Sequence, residues 1–172
     1  HGEVLAQNKV PIVPEDTAHS LGQKIVAAGT TLLIQVLQDI EQGTQKPLKQ
    51  DHTLATPAPK LKKEDGRLDW NQPAHQLFNH IRAFNPYPIC FSSMPEWNHK
   101  LLRIHQSEIT NLPGTVPGTL IISEQGYPLV SGQDFYLKLL TVQLEGKAKV
   151  DGKSFLNGIK GLKEAVKITR LE

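Results

Sequence analysis

In the stretch Asp69-Trp70-Asn71-Gln72-Pro73-Ala74-His75-Gln76-Leu77-Phe78-Asn79-His80-Ile81-Arg82-Ala83-Phe84-Asn85-Pro86-Tyr87-Pro88, a helical repeat ends and a strand repeat begins. Ala74, Leu77, Phe78, Ile81 and Phe84 recur at the three- and four-residue spacing that lines one face of a helix. Pro73 suits the first turn, where its missing N–H has no intrahelical partner to lose. Asn85-Pro86-Tyr87-Pro88 stops the helix, because proline cannot continue the hydrogen-bond ladder. Beyond it the period falls toward two. Ile89 to Ser93, Lys100 to Ser107, Thr115 to Ser123, Pro128 to Ser131 and Phe135 to Gln143 are strand candidates. Pro95, Pro113-Gly114, Pro117-Gly118, Gln125-Gly126, Gly132-Gln133 and Gly146 supply the turns between them. Short strands at close, regular spacing predict a small β-barrel. Ser154 to Leu171 has room for one or two short helices.

Upstream, Lys46 to Gly66 carries Pro47, Pro57 and Pro59 and a run of charged residues, with no apolar periodicity. It reads as an exposed linker, extended by its prolines. Before it, Gly2 to Val13 predicts a strand running into a loop. Asp16-Thr17 offers a helix N-cap. Leu21, Ile25, Ala28, Leu32, Val36 and Ile40 then follow at helical spacing, with Gly29 and Gly43 predicted to end two successive helices. An amphipathic pair of this kind must pack on something, and one strand is too little. Residues 1–46 therefore read as the end of a larger domain.

Composition excludes several classes. Hydrophobic residues form 38% of the 172, enough for a packed core. A single cysteine, Cys90, rules out an intrachain disulfide and suits a reducing, cytosolic setting. The most apolar run, Ile25 to Ile40, is interrupted by Thr30, Thr31, Gln35, Gln38 and Asp39, which predicts buried helix and no membrane span. Net charge is only +2, so bulk charge does not announce a nucleic-acid binder. Lys138 to Arg170 nevertheless holds eight Lys/Arg against three acids, a local excess that attracts phosphate.

Several polar clusters have a sharp and a plain reading. Asp16, His19 and Ser20 spell a hydrolase triad, yet they crowd one helix start, where capping is the natural role. His75 and His80 are five apart, so a helix turns them to different sides and no metal site is expected. Cys90 with His99 or His105 mimics a thiol pair, but a lone buried cysteine on a barrel strand is the commoner case. Trp70 and Tyr87 are expected to pin the helix to the barrel rather than to stack on bases.

A set of ordered matches then adds a family. Glu15-Asp16-Thr17 followed by Leu21 comes first. Ala58-Pro59-Lys60-Leu61, Lys63-Glu64-Asp65-Gly66 and Leu68-Asp69-Trp70 follow. Ile81 to Pro88, Pro117-Gly118-Thr119, Leu140 to Lys147 and Phe155-Leu156-Asn157-Gly158 complete the series. Together they resemble the C-terminal part of the methionyl-tRNA formyltransferases. The resemblance implies an α+β chain in three parts. Residues 1–46 would be a remnant of an α/β formyltransferase domain, 47–64 a linker, and 65–172 an OB-like barrel with flanking helices. It implies initiator methionyl-tRNA as partner, no membrane or evident protein partner, and a cytoplasmic location. Formyl-tetrahydrofolate is the implied co-substrate of the intact enzyme, with none expected to bind this portion. The catalytic Asn, His and Asp of the family fall before His1, so no catalytic or metal-binding residue is assigned. The tRNA-binding residues expected are Lys60, Lys62, Lys63, Arg67, Arg82, Lys147 and Lys149. The alternatives are a nucleotide-sugar formyltransferase, a formyl-tetrahydrofolate hydrolase, or a stand-alone RNA-binding module.

Overall fold

Thr17 opens the first helix, α1 (Ala18–Gln42), in the computed structural model, which describes residues 2–95, 98–158 and 169–170. Thr17 and Ser20 form a reciprocal capping box. The Thr17 hydroxyl accepts from the Ser20 N–H at 3.2 Å, and the Ser20 hydroxyl accepts from the Thr17 N–H at 3.0 Å. Two of the free donors of the first turn are satisfied in this way. Asp16 sits just outside and accepts from the Lys24 ammonium, the Val13 N–H and the Ser20 hydroxyl. These partners, Lys24 foremost, hold its carboxyl down at about 2. The capping role expected for this cluster is therefore what the structure shows, and the triad reading falls away. Gly43 closes the helix at φ 67°, its N–H bonded to the Ile40 carbonyl at 3.1 Å. The left-handed backbone at this C-cap is one that glycine adopts without strain.

Three expectations for this region are corrected. There is one helix of 25 residues and not a pair, because α1 runs straight through Gly29. An isolated glycine inside a helix costs about 1 kcal/mol against alanine, too little to stop a helix whose neighbouring turns are intact. The strand expected in Gly2 to Val13 is reduced to one antiparallel bridge, Val4 with Leu48, since Pro11 and Pro14 lack the donors a ladder needs. Nor is α1 buried: none of its residues is, and Val26 and Leu33 stand 68% and 59% exposed. By length and apolar content alone α1 also qualifies as a helix able to cross a membrane. Residues up to Lys60 form one compact unit and those from Leu61 onward another. Every residue from 47 to 64 is exposed.

The second unit is a curled antiparallel sheet around a helix. Its strands are β1 (Cys90–Met94), β2 (Lys100–Pro113), β3 (Thr119–Ile122), β4 (Pro128–Ser131), β5 (Phe135–Leu144), β6 (Val150–Asp151) and β7 (Thr169–Arg170). The order is β1-β2-β5-β4-β3-β7, with β6 paired to β5. All five predicted strands are present, Pro128–Ser131 with the predicted bounds and the other four with shifted ends. β2 runs on to Pro113 because its polar half keeps pairing with β5, through register shifts that bend it. β3 starts late because Pro117-Gly118 makes a turn, closed by the Thr119 N–H on the Val116 carbonyl at 3.0 Å. The two-residue strands β6 and β7 were not expected, since so short a segment carries no period.

Helix α2 (Ala74–Ala83) packs on β2 and β5 through buried Ala74, Leu77 and Ile81. Pro73 stands at its N-cap and offers no side-chain acceptor. Asp134, 60 residues away, does: its carboxylate accepts the Ala74 N–H at 2.7 Å. Leu102, Ile104, Leu137, Leu139 and Val142 complete the centre of the core. Helix α3 (Gly152–Gly158) adds Phe155 and Leu156 to it. Beyond α3, the stretch up to Leu171 in which one or two short helices were expected lies outside the described residues, Thr169–Arg170 excepted.

Candidate nucleic-acid interface

Lys62, Lys63 and Arg67 surround a short 3-10 turn, Glu64–Gly66. Asp65 anchors it by accepting the Lys62 N–H at 2.7 Å, while its carbonyl meets His80 Nε2 on α2 at 2.8 Å. Gly66 is buried against β1, where an added Cβ would stand 2.5 Å from the Ile89 carbonyl oxygen, so the close approach requires glycine. Arg67 then bridges to Phe91, and the Leu68 N–H bonds the Phe91 carbonyl at 3.0 Å. The four cations Lys60, Lys62, Lys63 and Arg67 are all exposed. Their ammonium and guanidinium groups are thus presented to solvent from a backbone that, from Lys62 onward, is tied to the sheet.

The sheet continues the positive row. Phe91 lies opposite Arg103, and Arg103 opposite Gln143. Directly opposed residues share a face, and these three point away from the core, since Leu102, Ile104 and Val142 point into it. His105 sits beside them where β2 bulges, its Nε2 3.4 Å from Gln143 Oε1. Gln143 Nε2 donates to the Lys147 carbonyl at 3.1 Å. Lys149 follows, immediately before β6, and is exposed. Burial pushes the His105 imidazole below its ordinary range, and the charges of Lys149 and Arg103 push it the same way, against the opposing Gln143 bond. The structure thus brings Arg67, Lys147 and Lys149 to the margins of one sheet face. Arg103, His105 and Phe91, at its centre, were missed from sequence. The signal was available: Arg103 and His105 alternate with Leu102 and Ile104.

Arg82 stands apart on α2, its Nε donating to Asn79 Oδ1 at 2.8 Å and its guanidinium 5.9 Å from the Phe78 ring centre. A cleft of about 400 Å³ lies between α2 and the preceding segment, lined by Arg67, Asp69, Gln72, Gln76, Leu77 and His80. Among the described residues, no three His, Cys, Asp or Glu gather as a metal site.

The plain readings of the other polar residues fare unevenly. Cys90 is fully buried on β1 and burial pushes its thiol up to about 12. It points inward beside Ile104, away from the face that carries His105. His75 is exposed and His80 packs edge-on against Phe84, 4.4 Å between ring centres. Trp70 is buried, its indole N–H donating to the Ser92 hydroxyl at 2.8 Å. Tyr87 is the correction: it is 56% exposed and pins nothing to the core. The Ile89 N–H bonds back to the Phe84 carbonyl at 2.9 Å, which closes the turn and leaves Tyr87 at its outer tip.

Residues 60–160 match the family model for the formyl transferase C-terminal domain. A methionyl-tRNA formyltransferase of Koribacter versatilis is 36% identical over 91% of this chain and 49% of its own length. One of Geobacillus thermodenitrificans is 33% identical, over 91% and 49% respectively. The chain thus spans about half the length of the curated relatives it matches. Among solved structures, HypX from Aquifex aeolicus, in complex with tetrahydrofolic acid, superposes with a TM-score of 0.67 at 18% identity, covering 93% of this chain and 28% of that one. An N-formyltransferase from Helicobacter canadensis, in complex with folinic acid and dTDP-3-aminofucose, gives 0.57 at 21% identity, covering 80% and 49%. These two likenesses bear on the fold alone. On the match to its linker end, helix and sheet, the chain belongs to the formyl transferase C-terminal domain family.

Proposed function

We propose that this chain is the tRNA-binding portion of a cytoplasmic methionyl-tRNA formyltransferase. The observation that carries it is the likeness, over 91% of the chain, to a relative of that name. Residues 65–172 form the OB-like tRNA-binding domain, 47–64 the linker, and 1–46 the end of the α/β formyltransferase domain. The uncovered apolar side of α1, with Val26, Leu33 and Leu37 exposed, supports the last assignment. The intact enzyme moves a formyl group from formyl-tetrahydrofolate to the amino group of methionyl-initiator tRNA. That step needs a base for the ammonium proton and donors for the developing oxyanion. In this reading the present portion contributes tRNA binding to that step.

Lys60, Lys62, Lys63, Arg67, Lys147 and Lys149 act on phosphate and sugar, since point charges position an RNA without reading its bases. Net charge of +2 sets the affinity as modest. With about three or four phosphates neutralised, log affinity falls against log salt with a slope of roughly −2 to −4. The test is filter binding of initiator and elongator tRNA across a salt series. Lys60→Ala with Lys63→Ala weakens both tRNAs alike and flattens the slope. A salt-independent affinity, or binding of a nucleotide sugar in place of tRNA, would overturn the reading.

A further inference from the structure

We propose that the outer face of β1, β2 and β5, centred on Arg103 and His105, holds an RNA phosphodiester and takes up a proton at His105 as it does so. This rests on the reading that the chain binds RNA, and it adds Phe91, Arg103 and His105 to the residues proposed above.

The face is built for an anion. Arg103 lies between Phe91 and Gln143 in one cross-strand row, with Lys149 and His105 close enough for their charges to interact. Adjacent strands are about 4.8 Å apart, so the row from Phe91 to Gln143 extends about 10 Å, wide enough for one phosphate and its sugar. Phe91 is half-buried and offers a ring face on which a sugar or base rests. Of the neighbouring acids, Glu145 shares this outer face two residues from Gln143, while Glu108 and Asp151 are engaged elsewhere. Glu145 accepts the Leu101 N–H at 3.1 Å, Glu108 meets the Lys138 ammonium at 3.4 Å, and Asp151 takes the Lys153 and Ser154 N–H groups at the start of α3. From β1 the titratable side chain is Cys90, which faces the core, and from the turn after α2 the neutral Asn85 amide donates to the His105 carbonyl. On this face His105 therefore meets two cations and a neutral amide.

With burial and both cations pushing it below the ordinary range, such a histidine holds its proton less readily in the free chain than an exposed imidazole does. A phosphate seated between Arg103 and Lys149 replaces repulsion by attraction and favours the imidazolium. By linkage, RNA then binds tighter as pH falls, the proton coming from solvent. If binding moves the His105 midpoint by one unit, affinity changes by up to tenfold between pH 8.5 and 5.5.

The test is equilibrium binding of an unmodified initiator tRNA transcript to the 172-residue chain at fixed salt over that pH range. The wild-type affinity should rise several-fold on acidification. His105→Gln should abolish the rise. Arg103→Gln and Lys149→Ala should each weaken binding about fivefold and lower the salt slope by about one. Far-UV circular dichroism checks that each variant folds, and the His105 ring resonance should titrate at higher pH with RNA present. A flat pH profile, a rise that survives His105→Gln, or unchanged affinity in a folded Arg103→Gln would overturn this assignment while leaving RNA binding in place. Absence of any tRNA binding at low salt would overturn both.

Discussion

Replacing Trp70 by phenylalanine tests how the end of the linker is fixed to the sheet. Trp70 is 3% exposed and Ser92, its partner on β1, is 0% exposed. The 2.8 Å bond between them is a buried contact of two neutral groups. Trp70→Phe leaves the Ser92 hydroxyl without its donor, at a cost of about 1–3 kcal/mol. The smaller ring leaves a partly filled space, adding about 1 kcal/mol. The expected loss is about 2–4 kcal/mol. Ser92→Ala alone strands the indole N–H and costs about 1–3 kcal/mol. The double variant removes both polar groups, so the two losses should not add: a coupling of about 1–2 kcal/mol is expected. Urea unfolding followed by far-UV circular dichroism measures all three. At a slope of about 2 kcal/mol per molar urea, the Trp70→Phe midpoint falls by about 1–2 M. Losses that add to within about 0.3 kcal/mol would refute the reasoning, because independent groups behave that way.

Other consequences are quicker to check. Cys90, buried with its thiol pushed up to about 12, should resist a thiol-specific reagent at pH 8 in the folded chain and react at once in denaturant. The Asp16 carboxyl titrates near 2 in the folded chain against an ordinary value of 3.8. Its contribution to α1 is therefore present above about pH 4 and lost as pH falls toward 2. Helical circular dichroism of the Asp16→Asn variant should be lower at pH 7 and change less over that range. Limited trypsin digestion should cut first at Lys60, Lys62 and Lys63 and leave a core beginning near Arg67. Early cutting inside Thr115–Gln143 would contradict the division proposed here.

The sequence by itself determined the elements whose information is local. The stripe Ala74, Leu77 and Ile81 named the buried face of α2, and the two prolines after Asn85 named its end. The turns at Pro113-Gly114 and Gln125-Gly126 separated the strands. Linker-end motifs through Asp69-Trp70 supplied the family. Tertiary structure decided what depends on residues distant in sequence. Asp134 caps α2 from 60 residues away, and nothing at Pro73 foretells it. Gly29 reads as a break from its residue type, yet a helix continues or stops according to whether its carbonyls find partners beyond. Tyr87 and Trp70 have the same aromatic character, but one is 56% exposed and the other 3%, a difference set by which side of a turn meets the sheet. The candidate site shows the limit most clearly. Single cations such as Lys60 can be named from sequence, whereas the Phe91, Arg103 and Gln143 row exists only once β1 and β5 pair on either side of β2. Strand register is fixed by the summed packing of many side chains, and no short segment carries that sum.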